Sequence, residues 1–198
     1  MSGERRPKVL LIVGDGAEVL DTMYPYFRLQ EAGYEVVVAG PEGREYHMVI
    51  HERPPDWDIT EERPGYRIQA DIAFRDIKPS EYAGMVITGG RAPEYLRYFP
   101  ELLEAVRSLF AAGKPVAAVC HGIEIVAAAG IVRGRRVTTV PKCRFDAEVC
   151  GAEYVDEPVV VSENLITART WHDNAPFLRA FLAALECSHQ QARPAAGS

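Results

Sequence analysis

The chain has 198 residues, 47% of them hydrophobic, with 22 basic against 28 acidic side chains and a formal charge of −6. That length buries a substantial core and fits one domain, and an acidic balance without a basic block argues against nucleic acid as a partner. No apolar run approaches the ~18 residues of a membrane span, and MSGERRP leads straight into a strand, so no membrane contact and a cytoplasmic location are expected.

In chain order, residues 8–13 (KVLLIV) read as a buried strand, 19–32 as a helix closed by Gly33, and 36–39 as a strand stopped by Gly40 and Pro41. Residues 48–65, with Pro54, Pro55 and Pro64, read as a long irregular stretch, either a functional cover or an oligomer contact. There follow residues 68–73, the strand 85–88 ending in Gly89 and Gly90, and a helix over 101–112 closed by Gly113. The strand 116–119 then runs into Cys120, His121 and Gly122, and an alanine-rich helix begins at Ile123. Residues 137–140, a short helix near 143–150, 159–161, 165–168 and a helix over 174–185 complete the pattern. Residues 188–198 (SHQQARPAAGS) read as a frayed tail, leaving 1–187 as a single domain. Nearly all-apolar strands alternating with helices predict an α/β fold, a mainly parallel sheet with helices on both faces. Ligands gather at the carboxyl ends of such strands, which brings together the loops after Val13 and Thr88 and the turn at Cys120.

A cysteine on a sharp strand-to-helix turn stands clear of the sheet, and the helix N-terminus beside it favours thiolate over thiol. Cys120 is therefore the candidate nucleophile, although a buried cysteine serving as a small hydrophobe fits the local pattern as well. Glu18 falls where the first helix begins, on the same sheet edge; it is either an acid–base partner of the cysteine or a residue favouring the helix dipole. Gly89 and Gly90 can present an N–H toward the cysteine, which with the N–H of His121 makes an oxyanion hole; a plain turn and helix start use the same residues. Gly14-Asp15-Gly16 lacks both the dinucleotide and the phosphate-loop signatures, so no nucleotide is expected. His47 and His51 are four residues apart with no third ligand evident, and no metal is expected. Trp171 and His172 follow a strand end and are candidate substrate contacts, with Asp173 as the alternative reading, a helix cap. The cysteines at 120, 143, 150 and 187 form no CxxC pair and read as reduced thiols.

Several stretches taken together resemble the ThiJ/PfpI superfamily: KVLLIV followed by Glu18 and YPYFRL, GGRAPE at 89–94, GKPVAAVCHG at 113–122, and AAGIVRGRRVTT at 128–139. The resemblance implies a flavodoxin-like three-layer sandwich with a nucleophile elbow. It implies Cys120 as nucleophile, Glu18 as the acidic group beside it, His121 as the neighbouring histidine, and Gly90 and His121 as oxyanion donors. It also implies a homo-oligomer (dimer, trimer or hexamer) in which Glu94 reaches His121 across an interface. Within the superfamily, the segment 50–66 and the aromatic loop 167–177 are similar to those of plant glyoxalases, which favours a small carbonyl substrate over a peptide. The expected activity is thus a cofactor-independent, glutathione-independent glyoxalase, turning methylglyoxal into lactate, with possible deglycase-type action. An intracellular cysteine peptidase and a redox-sensing or chaperone-like stress protein are the alternatives. Glu124, after the CHG turn, departs from the family's usual residues and bears on substrate preference.

Overall fold

A computed structural model describes residues 6–192. Its strands are β1 (Lys8–Ile12), β2 (Glu35–Gly40), β3 (Glu45–Glu52), β4 (Glu61–Gln69), β5 (Ile72–Ala73), β6 (Tyr82–Ile87), β7 (Val116–Val119), β8 (Arg136–Val137), β9 (Glu153–Tyr154), β10 (Val159–Ser162) and β11 (Leu165–Ala168). Its helices are α1 (Val19–Glu31), α2 (Ala92–Leu96), α3 (Pro100–Ala111), α4 (Ile123–Ala128), α5 (Arg144–Val149) and α6 (Asn174–Ala192).

Seven strands form the central sheet in the order β10-β11-β7-β6-β1-β2-β5. All neighbours run parallel except β10, which returns antiparallel along β11. The reason lies in composition. In β1 and β7, Val9 to Ile12 and Val116 to Val119 are essentially unexposed, as strands covered on both faces must be. Helices α1 and α6 pack on one another and on the sheet, and α3 and α4 pack together against β7. The fold is the expected flavodoxin-like α/β sandwich, with strand order reversing between β1 and β6, next to the β7 turn.

The stretch 48–65 is irregular only over residues 53–60. It belongs to an antiparallel hairpin, β3 with β4, paired from Glu45 with Gln69 to Glu52 with Glu61 and shifted in register near His47 and Val49. Tyr46 and Met48 alternate inward and are fully buried, the period of two that a half-covered strand requires. Pro54 and Pro55 lie in the connection, and Pro64 sits opposite Val49 in a two-stranded ladder, where a missing N–H is tolerated. The hairpin is tied over the loop after β1 by Gly16 N–H to His47 O (2.8 Å) and Val49 N–H to Ala17 O (2.9 Å). The last helix also exceeds its expected end: α6 runs to Ala192, so the first part of the expected tail is helical, and 193–198 lie outside the described residues.

Candidate active site

Cys120 ends β7 with φ of +57°, the left-handed region that a residue bearing a side chain enters at a cost of about 1–3 kcal/mol. The turn is held by Thr139, whose hydroxyl donates to the Cys120 carbonyl at 2.7 Å, and a short 3-10 turn leads directly into α4. The sulfur lies 3.3 Å from Nδ1 of His121. The backbone N–H groups of Gly90 and His121 both point at it, each favouring the thiolate. Gly90 takes φ of +82°, and a Cβ there would collide with the Gly16 carbonyl and the Glu18 amide nitrogen, so only glycine lets these loops close.

Burial outweighs those donors. It pushes the Cys120 thiol well above the ordinary cysteine value, and the carboxyl of Asp21 adds to this; the N–H groups and the Lys142 ammonium pull the other way. Burial thus works against the thiolate that the turn geometry favours, and it also lowers His121 to about 4. The pair is set up to move the thiol proton as a bond to sulfur forms.

Glu18 is 1% exposed and caps α1, Oε2 accepting the Asp21 N–H at 2.7 Å. Backbone N–H groups of Leu20 and His51 also favour its charged form, yet burial raises its pKa above the ordinary glutamate value. No hydrogen bond joins it to Cys120 among the described residues. The carboxyl that bears directly on the cysteine is Asp21, which the sequence reading passed over. A Cβ on Gly89 would lie 2.5 Å from both Asp21 Oδ2 and Cys120 Cβ, so Asp21 and Cys120 flank the Gly89 backbone. Asp21 is fully buried, receives Asn174 Nδ2 at 3.3 Å on Oδ1, and has no partner on Oδ2 among the described residues. Its signal in the sequence was an acidic residue one turn after Glu18 on the buried face of α1.

Burial, then the nearby Glu18 charge, hold Asp21 well above 3.8. The unfolded chain releases this proton near that ordinary value while the folded chain keeps it, so stability falls as pH rises above it. Denaturant unfolding from pH 4 to 8 should show the wild type losing more stability with pH than Asp21→Asn, the gap widening toward pH 8.

A cavity of about 430 Å³ opens over the cysteine, lined by Cys120, His121, Val140 and Pro141 on the sheet side and by His51, Arg53, Asp58, Ile59 and Thr60 from the hairpin. Lys142, Trp171 and His172 complete its rim, and the Trp171 and His172 rings lie 5.2 Å apart. The two expected contacts from the loop after β11 thus reach the cavity. Glu18, Gly89, Gly90, Glu94 and Glu124 are not among its lining residues. Glu124 is 7% exposed behind the turn, 3.3 Å from the Arg97 guanidinium and 3.6 Å from the Cys143 sulfur. Glu94, on α2, is half-exposed and paired with Arg91 at 3.2 Å rather than with the His121 of its own chain. Donor atoms of His121, Glu124 and Cys143 lie within 4.8 Å of one another, a set a soft divalent ion could use, but the Arg97 guanidinium already supplies positive charge there.

The family model described as DJ-1/PfpI matches residues 7–184. The chain belongs to the DJ-1/PfpI family. A protein of Pyrococcus abyssi named as a deglycase is 35% identical over 179 residues, covering 90% of this chain and 99% of that one. Protein DJ-1 homolog D of Arabidopsis thaliana is 32% identical over 185 residues, 90% of this chain and 47% of the plant protein. Among solved structures, a two-domain protein of Anabaena variabilis with DJ-1/ThiJ/PfpI-like and ferritin-like domains superposes with a TM-score of 0.78 at 32% identity, over 91% of this chain and 48% of that one. The central sheet and its helices are thus the fold of a DJ-1/ThiJ/PfpI-like domain. Among the described residues no helix is long and apolar enough to cross a membrane.

Proposed function

We propose that this protein is a cysteine-dependent, cofactor-independent enzyme acting on small 2-oxoaldehydes, converting methylglyoxal to lactate and reversing the adducts such aldehydes form. The observation that carries the reading is Cys120, held at a strained turn on the cavity floor with two backbone N–H groups converging on its sulfur. The family's deglycase-named relatives support the same substrate class.

In the proposed reaction the Cys120 sulfur adds to the aldehyde carbon while Nδ1 of His121 takes the thiol proton and returns it to the new oxygen. The developing oxyanion is met by the Gly90 and His121 N–H groups, and a hemithioacetal results. Glu18, assisted by His121, then moves a proton from the former aldehyde carbon to the adjacent one, a task suited to a carboxyl whose pKa burial has raised. The product is a thioester, and water releases it as the 2-hydroxy acid and restores the thiol. A peptidase would also have to protonate an amine leaving group, and the Glu94 that would orient His121 for this is engaged by Arg91.

The test is lactate formation from methylglyoxal by purified protein without glutathione or added metal. Lactate is expected from the wild type and none from Cys120→Ala. A folded wild type that forms no lactate overturns the reading in favour of peptide cleavage or peroxide sensing.

A further inference from the structure

The cavity over Cys120 is cationic in a chain that is acidic overall. The chain carries a formal charge of −6, and most of its described arginines are matched to carboxylates. Two basic side chains on the cavity rim are not. Lys142 has no carboxylate partner among the described residues, and its ammonium is held by the Thr60 hydroxyl at 2.8 Å. Arg53 makes only a long contact, 3.5 Å, to the Trp57 carbonyl. Against them the lining offers one acid, Asp58, while His51 is already paired with Glu62 at 3.1 Å.

The position of Lys142 is informative. Thr60 lies in the connection of the hairpin, just before β4, and Lys142 in the turn before α5, so the hydrogen bond between them bridges the two walls of the cavity. From there the ammonium acts on both sides, lowering the pKa values of Cys120, His121 and His51 alike. A cation on the rim of the cavity that holds Cys120, with no carboxylate partner among the described residues, favours a substrate that brings its own negative charge.

We propose that Lys142, with Arg53, forms an anion subsite that selects 2-oxoaldehydes carrying a carboxylate tail. This rests on the 2-oxoaldehyde reading and narrows its substrate class. The carbonyl end meets Cys120 and the oxyanion donors, and the tail lies against the Lys142 ammonium across the cavity. A suitable probe is 4,5-dioxopentanoate, whose carboxylate stands two methylenes beyond the ketone. Addition of the thiol, transfer of the proton between adjacent carbons and hydrolysis give 2-hydroxyglutarate with one water consumed and no change of overall oxidation state.

Turnover of 4,5-dioxopentanoate is compared with that of its neutral methyl ester in the wild type, Lys142→Met and Arg53→Gln. The wild type should favour the acid about 10-fold in kcat/KM, the factor one charge-assisted contact supplies. Lys142→Met should bring the ratio near one, Arg53→Gln part of the way, and added salt should lower it in the wild type. The ratio is the readout because loss of the Lys142 charge also alters the thiol and changes both substrates together. A second measurement does not depend on turnover: alkylation of Cys120 by anionic iodoacetate and by neutral iodoacetamide, followed at that cysteine by peptide mass. The iodoacetate-to-iodoacetamide rate ratio should fall about 10-fold in Lys142→Met. If alkylation shows this fall and no aldehyde turns over, the anion subsite stands and the 2-oxoaldehyde reading fails. If both aldehydes turn over without preference, or if neither ratio changes in Lys142→Met, the subsite is overturned.

Discussion

Cys120→Ala and Cys120→Gly both lose at least about 10³-fold in methylglyoxal turnover, since removal of an attacking group leaves only binding and oxyanion stabilisation. They should nevertheless differ in stability, by about 1 kcal/mol in favour of glycine. The two variants remove the same sulfur and leave nearly the same space, so the difference between them isolates the backbone. Residue 120 sits at φ of +57°, where alanine keeps the strain of a Cβ and glycine does not. Chemical unfolding of the pair measures that strain directly. An alanine variant as stable as the glycine variant would mean the turn relaxes without its thiol, and that the sulfur rather than the neighbouring β6 and α4 packing fixes its geometry. The strained turn is maintained by the Thr139 hydroxyl on the Cys120 carbonyl and by the buried strands on either side. Stability is thus spent on holding the Cys120 side chain out from the sheet, a strain of the kind found at functional sites.

The parts of the fold that the sequence reading located are those whose burial forces a single pattern. β1 and β7 lie between two helical layers, so Val9 to Ile12 and Val116 to Val119 are all apolar, and glycines at positive φ close α1 and α3 at Gly33 and Gly113. The hairpin is hidden in the sequence because its clustered prolines mask the alternation of its strands. Tyr46 and Met48 pointing inward carried the strand signal, and the clustered prolines belong mostly to the connection. Cys120, His121 and Gly90 were legible because the turn chemistry is local. Asp21 and Lys142 were not, because their importance arises from packing between distant segments: Asp21 reaches the cysteine across the Gly89 backbone, and Lys142 is tied to Thr60 from the other side of the cavity. Glu124 shows the converse. Two residues past the turn it looked like a site residue, but the direction of α4 turns it behind the site toward Arg97.

Replacing His121 by glutamine should lower kcat/KM about 10²- to 10³-fold and, independently of activity, flatten the pH dependence of stability between pH 4 and 6.5. The first effect follows from geometry: Nδ1 is the only side-chain acceptor at the Cys120 sulfur among the described residues, at 3.3 Å. The second follows from burial, which lowers the imidazole from 6.5 to about 4, with the Lys142 ammonium acting in the same direction. The unfolded chain therefore takes up a proton near pH 6.5 that the folded chain refuses until about pH 4. Stability from the neutral ring is fully present above pH 6.5 and drains away as pH falls, amounting to about 3 kcal/mol across the interval. Asp21 acts oppositely, since its raised pKa removes stability as pH rises, so each variant must be compared with the wild type at every pH. Titration of the ring by NMR checks the same point in the folded protein. A His121 resonance titrating near 6.5 would mean the ring is solvated, and the stability difference between pH 4 and 6.5 assigned to its burial would then be absent.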